Sequence, residues 1–202
     1  MSLKPPQHRL CVYCGSSPGR NPAYLEAAAA LGTAMARADI GLVYGGGSIG
    51  LMGEVARAVL AAGGHVTGII PEFLVAKERM LDGVNELIVT RSMHERKHLM
   101  FERATGFVAL PGGIGTLEEL AEIATWAQLN QHAKPIIVCD VAGYWSHLMS
   151  LLQHMRSEGF IRAEADVFLD IALQVEDVVP LYRSRLGQTR QKVPLAAIRQ
   201  QL

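Results

Sequence analysis

The sequence predicts an α/β protein of the Rossmann-like type, with three αβα layers around a mainly parallel central sheet. Short β-branched runs alternate with amphipathic helical stretches, a pattern that is typical of βαβ units. Two predicted strands lead directly into glycine-rich loops that are followed by helical stretches. With 202 residues, half of them hydrophobic, the chain is long enough to bury one sizeable core.

The first half of the chain predicts three strands and two helices. An apolar run predicts a strand at residues 9–14, and an alanine-rich stretch predicts a helix at residues 23–38. A second strand at residues 40–44 precedes a helix at residues 51–62, which ends at a Gly-Gly pair, a natural helix stop. Pro71 ends a third strand, and the mixed, polar segment after it predicts a loop with a helical turn. The third strand is expected at residues 65–70 and the loop at residues 72–84.

The second half continues the alternation, with strands predicted at residues 86–90, 106–110 and 135–139 and helices at residues 92–104, 117–129 and 145–158. Apolar residues at helical spacing support the last of these helices. A short strand is expected to include residues 167–169, and a final helix is expected after Glu176. We expect residues 1–182 to form one domain and residues 183–202, which are basic and contain no acid, to form a frayed tail.

The charge balance excludes a global attraction to nucleic acid or membranes, because Lys plus Arg and Asp plus Glu both count 19. No apolar run approaches the roughly 20 residues that span a bilayer, and the polar N-terminus lacks the apolar segment of a signal peptide. A cytoplasmic location is therefore expected.

Cys11 and Cys14 form a CxxC pair within a predicted strand, where they point to opposite faces. Buried structural thiols are a better interpretation than a redox pair.

The first glycine loop, residues 45–50, formally fits the pattern GxGxxG after a strand and before a helix. Backbone N–H groups of Gly46, Gly47 and Ser48 are predicted to approach a phosphate near the helix N-terminus. The alternative is a tight strand–helix turn that binds nothing.

The second glycine loop consists of Gly112, Gly113, Ile114, Gly115 and Thr116, and the same reasoning predicts a phosphate contact there. Glu119 follows three residues after Thr116. The two residues form a formal capping box, in which Glu119 only bonds back to the Thr116 backbone. Alternatively, a carboxylate beside a phosphate loop stabilises an oxocarbenium-like sugar or orients water.

His94-Glu95-Arg96-Lys97-His98 formally fits the zinc-protease motif HExxH, and Glu118 lies 20 residues beyond His98 as a formal third ligand. Two cations inside the motif would repel Zn²⁺, so no metal is expected. Ser92 and Glu95 are more simply a capping box. The pair Arg96 and Lys97 is then either a surface pair that snorkels or a clamp for a phosphorylated anion.

Together these residues resemble the Lonely Guy family of cytokinin riboside 5′-monophosphate phosphoribohydrolases, whose members have often been labelled lysine decarboxylase-like. The family motif PGGxGTxxE is complete at residues 111–119. The similarity also covers residues 45–53, 92–97 and 125–129, and it extends over most of residues 9–180.

The resemblance implies a homodimer that hydrolyses the N-glycosidic bond of AMP or of an N6-substituted riboside 5′-monophosphate, with no metal or organic cofactor. It assigns catalysis to Arg96 and Glu119. It assigns nucleotide contacts to Lys97, to the second glycine loop from Gly113 to Thr116, to Thr125 and, less directly, to Glu78. A carrier that binds a nucleotide or cofactor without turnover is the alternative from another class, since related Rossmann-like folds do this.

Overall fold

The computed structural model describes residues 5–75, 80–161 and 169–186. In those residues the strands are β1 (His8–Tyr13), β2 (Ile40–Tyr44), β3 (Val66–Pro71), β4 (Glu86–Thr90), β5 (Gly106–Ala109), β6 (Ile136–Cys139) and β7 (Asp170–Ala172). The helices are α1 (Ala23–Arg37), α2 (Gly50–Ala61), α3 (Glu72–Val75), α4 (Met93–Arg103), α5 (Ile114–Gln128), α6 (Ser146–Ser157) and α7 (Val178–Arg185). None of these helices is both long enough and apolar enough to cross a lipid bilayer.

All seven strands belong to one sheet in the order β4-β3-β2-β1-β5-β6-β7. Every neighbouring pair is parallel, so the predicted α/β class is confirmed and the described sheet is wholly parallel. The chain moves outward from β1 to β4 and then returns to add β5 on the other side of β1. The strand order therefore reverses between β1 and β5, and in open α/β sheets ligands bind beyond the carboxyl ends of the strands at such a point.

Side chains alternate along the strands and build a separate core on each face of the sheet. Leu10 and Val12 of β1 point to the face that α1, α2 and α7 cover, whereas Cys11 and Tyr13 point to the face that α4, α5 and α6 cover. Cys14 joins the first of these cores, so the CxxC pair is split between the two faces, as predicted.

Two predictions near the C-terminus need correction. The last strand does not include Leu169 but begins at Asp170, where it pairs with the end of β6; residues 167 and 168 lie outside the described residues. The basic tail does not begin at Arg183, because α7 continues to Arg185 and both arginines have partners. Arg183 donates to the Ala38 carbonyl at 2.9 Å, and Arg185 forms an ion pair with Asp170 at 2.6 Å. Residues 187–202 lie outside the described residues.

Candidate active site

Three strand–helix loops pack together at the carboxyl edge of the sheet. The Gly15 N–H donates to the Pro111 carbonyl at 3.0 Å, and the Met52 N–H donates to the Gly15 carbonyl at 3.3 Å. The turn after β1 is thus held between the two glycine loops. Gly112 is required there, because a Cβ at that position would lie 2.9 Å from the Gly15 nitrogen and 2.2 Å from the Thr116 hydroxyl.

The first glycine loop is mostly buried, and its glycines provide space for neighbouring groups. A Cβ on Gly45 would lie 2.1 Å from a terminal nitrogen of Arg96. Gly46 has φ +84° and packs against Ile70, while Gly47 forms an antiparallel bridge with Met80. The carbonyl of the half-buried Ser48 accepts a hydrogen bond from Arg57 at 2.9 Å. Within this chain, the loop's first role is to let the guanidinium of Arg96 lie against the end of β2.

Helix α4 begins as the capping signal predicts. The Ser92 hydroxyl accepts from the Glu95 N–H at 3.1 Å, and Glu95 in turn accepts from the Arg91 N–H at 2.8 Å. One turn into the helix, the Arg96 side chain points into the carboxyl edge of the sheet and is only 11% exposed. Its guanidinium donates to the Ile69 carbonyl at 3.1 Å and to Glu119 Oε1 at 3.3 Å.

Helix α5 begins at Ile114, with Gly113 as the N-cap residue, and not at residue 117. Thr116 therefore lies inside the first turn, and the predicted capping box between Thr116 and Glu119 is wrong. Gly113 occupies the N-cap position, where glycine is an accepted residue, and no side chain caps the helix. The carboxylate of Glu119 is free to bond across to Arg96, from which it is separated by 23 positions in the sequence.

Burial raises the pKa of Glu119 from an ordinary value of 4.5 to about 7. The Arg96 guanidinium and the Lys97 ammonium oppose this shift, and the neighbouring carboxylates of Glu118 and Glu122 add to it. The side chain is only 13% exposed, so loss of hydration outweighs the attraction to arginine. Near neutral pH this carboxyl group can therefore either accept or donate a proton.

The second glycine loop is open to solvent from Gly113 to Gly115, whereas Gly112 is half-buried and Thr116 is buried. A Cβ on Gly113 or Gly115 would meet nothing within 4 Å, and the side chain of Ile114 between them is 83% exposed. The first N–H groups of α5 have no acceptor within the helix, and the helix dipole favours an anion there. The Tyr144 hydroxyl donates to the Gly112 carbonyl, which ties the loop to the segment before α6.

Lys97 is adjacent to Arg96 in sequence, but its ammonium has different partners. It lies 2.6 Å from Glu118 Oε1 and 3.1 Å from Glu122 Oε1, and the side chain is 17% exposed. These contacts raise the pKa of Lys97, although partial burial opposes the shift. Both predicted cations therefore reach α5, each with its own carboxylate partners.

One other predicted contact, Thr125, lies apart from this cluster. Thr125 is exposed, its hydroxyl donates to the Ala121 carbonyl at 2.7 Å, and it lies 11 residues after Ile114, about 16 Å along the helix axis. It shares with Glu118 and Glu122 the helix stripe that faces Lys97. Glu78 lies outside the described residues.

The residues of the zinc motif have other roles. His94 is exposed, His98 lies 3.3 Å from Glu102, and Glu118 contacts Lys97. Across residues 5–75, 80–161 and 169–186, no group of three potential metal ligands is assembled. The cysteines at 11, 14 and 139 are free and buried, and burial raises the pKa of each thiol.

Comparison with known proteins identifies the family of this chain. A family model described as "Possible lysine decarboxylase" matches residues 52–181. The cytokinin riboside 5′-monophosphate phosphoribohydrolase LOG of Oryza sativa subsp. japonica is 45% identical over 181 residues, which are 86% of this chain and 75% of that protein. LOG1 of Arabidopsis thaliana, which carries the same enzyme name, is 43% identical over 187 residues, or 89% of this chain and 88% of that protein. The chain belongs to the Lonely Guy family.

Solved structures with lower sequence identity share the fold of this chain. The molybdenum cofactor carrier protein of Chlamydomonas reinhardtii matches with a TM-score of 0.67 at 22% identity, covering 90% of this chain and 99% of that one. The molybdenum cofactor binding protein of Rippkaea orientalis matches with a TM-score of 0.65 at 24% identity, covering 88% and 96% of the two chains. At these identities the matches establish the fold alone.

Sequence reasoning missed three contributors to the site of this Lonely Guy protein. The sequence marks Gly45 only as part of a phosphate loop, although it makes room for Arg96. It gives no sign of Tyr144 or Glu122, although Tyr144 contacts Gly112 and Glu122 contacts Lys97. No local pattern marks these two, because their partners lie 32 and 25 positions away.

Proposed function

We propose that this protein hydrolyses the N-glycosidic bond of a nucleoside 5′-monophosphate whose base is adenine or an N6-substituted adenine. Water adds to C1′ of the ribose and the base leaves with a proton, giving free base and ribose 5-phosphate. The observation that carries the proposal is the buried pair of Arg96 and Glu119, joined at 3.3 Å beside an open glycine loop. The relatives' names specify the same reaction class.

In this proposal Glu119 acts at the sugar. As its carboxylate, it stabilises the positive charge that develops at C1′ when the base departs, or it takes a proton from the attacking water. Arg96 holds the nucleotide and neutralises negative charge, and its planar guanidinium suits a phosphorylated anion. Because the Ile69 carbonyl and the backbone at Gly45 fix the guanidinium, Arg96 is already oriented before a substrate arrives.

The phosphate would bind the second glycine loop. The backbone of Gly112, Gly113, Ile114, Gly115 and Thr116 borders the open start of α5, where N–H groups and the helix dipole attract an anion. The buried loop of Gly46, Gly47 and Ser48 would close the other side of the cleft. Thr125 and Glu78 remain predicted contacts of the base or sugar, and Lys97 would have to leave a carboxylate to reach the substrate.

The description of the matching family model names lysine decarboxylation, and the side chains do not fit that chemistry. Such a reaction ordinarily needs pyridoxal phosphate bound as a Schiff base to a lysine. In the part of the chain that the structure describes, the Lys97 ammonium is bonded to two carboxylates. The Lys134 ammonium donates to the Phe101 carbonyl at 2.6 Å and lies over the Phe101 ring. The hydrolysis proposed here uses water and the side chains of Arg96 and Glu119, and it calls for no cofactor.

We further propose a homodimer in the cytoplasm. Apolar side chains are exposed at the carboxyl edge, among them Ile49 at 60%, Phe73 at 50% and Ile114 at 83%, and a second subunit would cover them. The three buried free thiols are compatible with a reducing compartment. Light scattering on the purified protein tests the dimer: a monomeric mass at micromolar concentration would contradict it.

The decisive experiment incubates the purified protein with AMP and, separately, with an N6-prenyl AMP, followed by chromatography for the free base and ribose 5-phosphate. Glu119→Gln should abolish release while circular dichroism shows an unchanged fold, and Glu26→Gln, which removes an exposed carboxylate of α1, is the control. Saturable AMP binding without any free base would instead support a carrier. Full activity of Glu119→Gln would refute the assigned mechanism.

A further inference from the structure

Helices α4 and α5 are joined by a cluster of five charged side chains. Two cations from α4 face three carboxylates from α5, and the cluster consists of Arg96, Lys97, Glu118, Glu119 and Glu122. Arg96 takes the buried carboxylate of Glu119, and Lys97 takes the other two. The carboxylates therefore outnumber the cations, and the ammonium of Lys97 is shared between two of them.

This sharing makes Lys97 a poor direct ligand for a phosphate. A charge-assisted bond of 2.6 Å to Glu118 and a second bond of 3.1 Å to Glu122 occupy two of its three donor hydrogens. Leaving them would expose two carboxylates to each other and to an incoming dianion. Like charges this close are unfavourable, so an approaching phosphate would bring further repulsion.

We propose that Lys97 is a positioning residue that acts through Glu118 and Glu122: it cancels their charge beside Glu119 and so maintains the carboxylate form that the reaction uses. This inference rests on the proposed function for its effect on catalysis. Glu122 then belongs to the site as the residue that holds Lys97 in place.

Several titratable groups surround Glu119, and Lys97 is one of the two cations among them. They are Arg96 and Lys97 from α4, Glu118 and Glu122 from α5, and Cys11, Tyr13 and Cys14 from β1 and the residue after it. Burial raises the pKa of both thiols and of the phenol, so these three groups stay neutral at physiological pH. Among the described residues that act on Glu119, the charged ones are therefore two cations, Arg96 and Lys97, and two further carboxylates, Glu118 and Glu122.

The test is a double-mutant cycle read from the pH dependence of kcat/KM. Lys97→Met should move the acidic limb of the profile upward by about one pH unit, the low end of the effect of one nearby charge. At pH 7 this corresponds to about a fivefold loss of activity, with activity recovering toward pH 9. Glu122→Gln alone should move the limb downward, and Glu122→Gln in the Lys97→Met background should restore much of the loss.

A direct phosphate contact predicts a different result. Lys97→Met would then raise KM at every pH, and Glu122→Gln would not rescue it; that outcome overturns the proposal. Arg103→Met serves as the matched control, because Arg103 lies on the same helix and pairs with Glu86 at 3.0 Å, away from the cluster. Its acidic limb should stay in place.

A second readout needs no substrate. The carboxyl carbon of Glu119 is titrated by ¹³C NMR in glutamate-labelled protein, with Glu119→Gln used to assign the signal. Its midpoint should rise by about one unit in Lys97→Met and fall in Glu122→Gln. Equal midpoints in all variants refute the coupling. A wild-type protein that releases no base, yet shows the shifted midpoints, refutes the proposed function and leaves the coupling standing.

Discussion

Replacing Glu119 with glutamine should make the protein more stable at alkaline pH while it removes the proposed activity. The folded state holds the pKa of Glu119 at about 7 instead of 4.5, because the carboxyl group is buried. A group whose folded pKa is raised favours folding most when it is protonated. Its contribution is complete below pH 4.5 and is lost as the pH rises through 7.

The size of the effect follows from the difference of about 2.5 units between the two pKa values. Each unit corresponds to 1.36 kcal/mol, so ionising Glu119 costs the folded state about 3 kcal/mol above pH 7. Glutamine does not ionise and avoids this cost. The attraction of Arg96 to the charged carboxylate is already contained in the pKa of about 7, and any loss of packing in the variant does not vary with pH over this range. The diagnostic quantity is therefore the change with pH.

Thermal unfolding from pH 4.5 to 8.5 measures this change. The melting temperature of Glu119→Gln, relative to wild type, should rise by about 6–12 °C across the range for a domain of this size. Glu26→Gln is the control, since it removes an exposed carboxylate of α1, a helix on the other face of the sheet. If the curves of Glu119→Gln and Glu26→Gln run parallel, the buried-carboxylate reasoning is wrong.

Three further changes test the structure around the site. Gly45→Ala would place a Cβ 2.1 Å from Arg96; base release should fall about 100-fold as the guanidinium is displaced, and an unchanged kcat/KM would contradict this. Tyr144→Phe removes the hydroxyl bonded to Gly112 and should raise the KM for the nucleotide about two- to tenfold with little change in kcat; an unaltered KM refutes the anchoring role. Asp140→Ala leaves the buried backbone N–H of Trp145 without its acceptor at 2.6 Å, and urea unfolding should record a loss of about 1–3 kcal/mol; a loss within experimental error counts against it.

The fold could be predicted because its signals are local. Six of the seven described strands lie in short apolar runs, and Ser92 caps α4 with its hydroxyl as expected. Helices α1 and α6 begin after Pro22 and Trp145 with no side-chain cap, so apolar spacing alone predicts them. The start of α5 was misplaced because Gly113 and Gly115 favour a loop in a local reading. In the folded protein, one glycine caps the helix and the other lies in its first turn.

The sequence indicates which residues form the candidate site but not which contacts they make. Family resemblance indicated Arg96 and Glu119, and the structure brings them within 3.3 Å. The partners of Lys97 could not be inferred, because they depend on how α4 and α5 pack beside each other on one face of the sheet. The same holds for Gly45, whose lack of a side chain matters only because a guanidinium from another helix occupies that space.

The position of β1 has a consequence for biosynthesis. Residues 8–90 contain four contiguous strands of the sheet, ending at β1, and they emerge from the ribosome before β5 does. Until residues 106–109 emerge, the inner edge of β1 has unpaired backbone groups and apolar flanks, the kind of edge that promotes aggregation. Nascent chains that expose residue 90 but still hold residues 106–109 in the exit tunnel should therefore bind chaperones more strongly than chains in which β5 has paired.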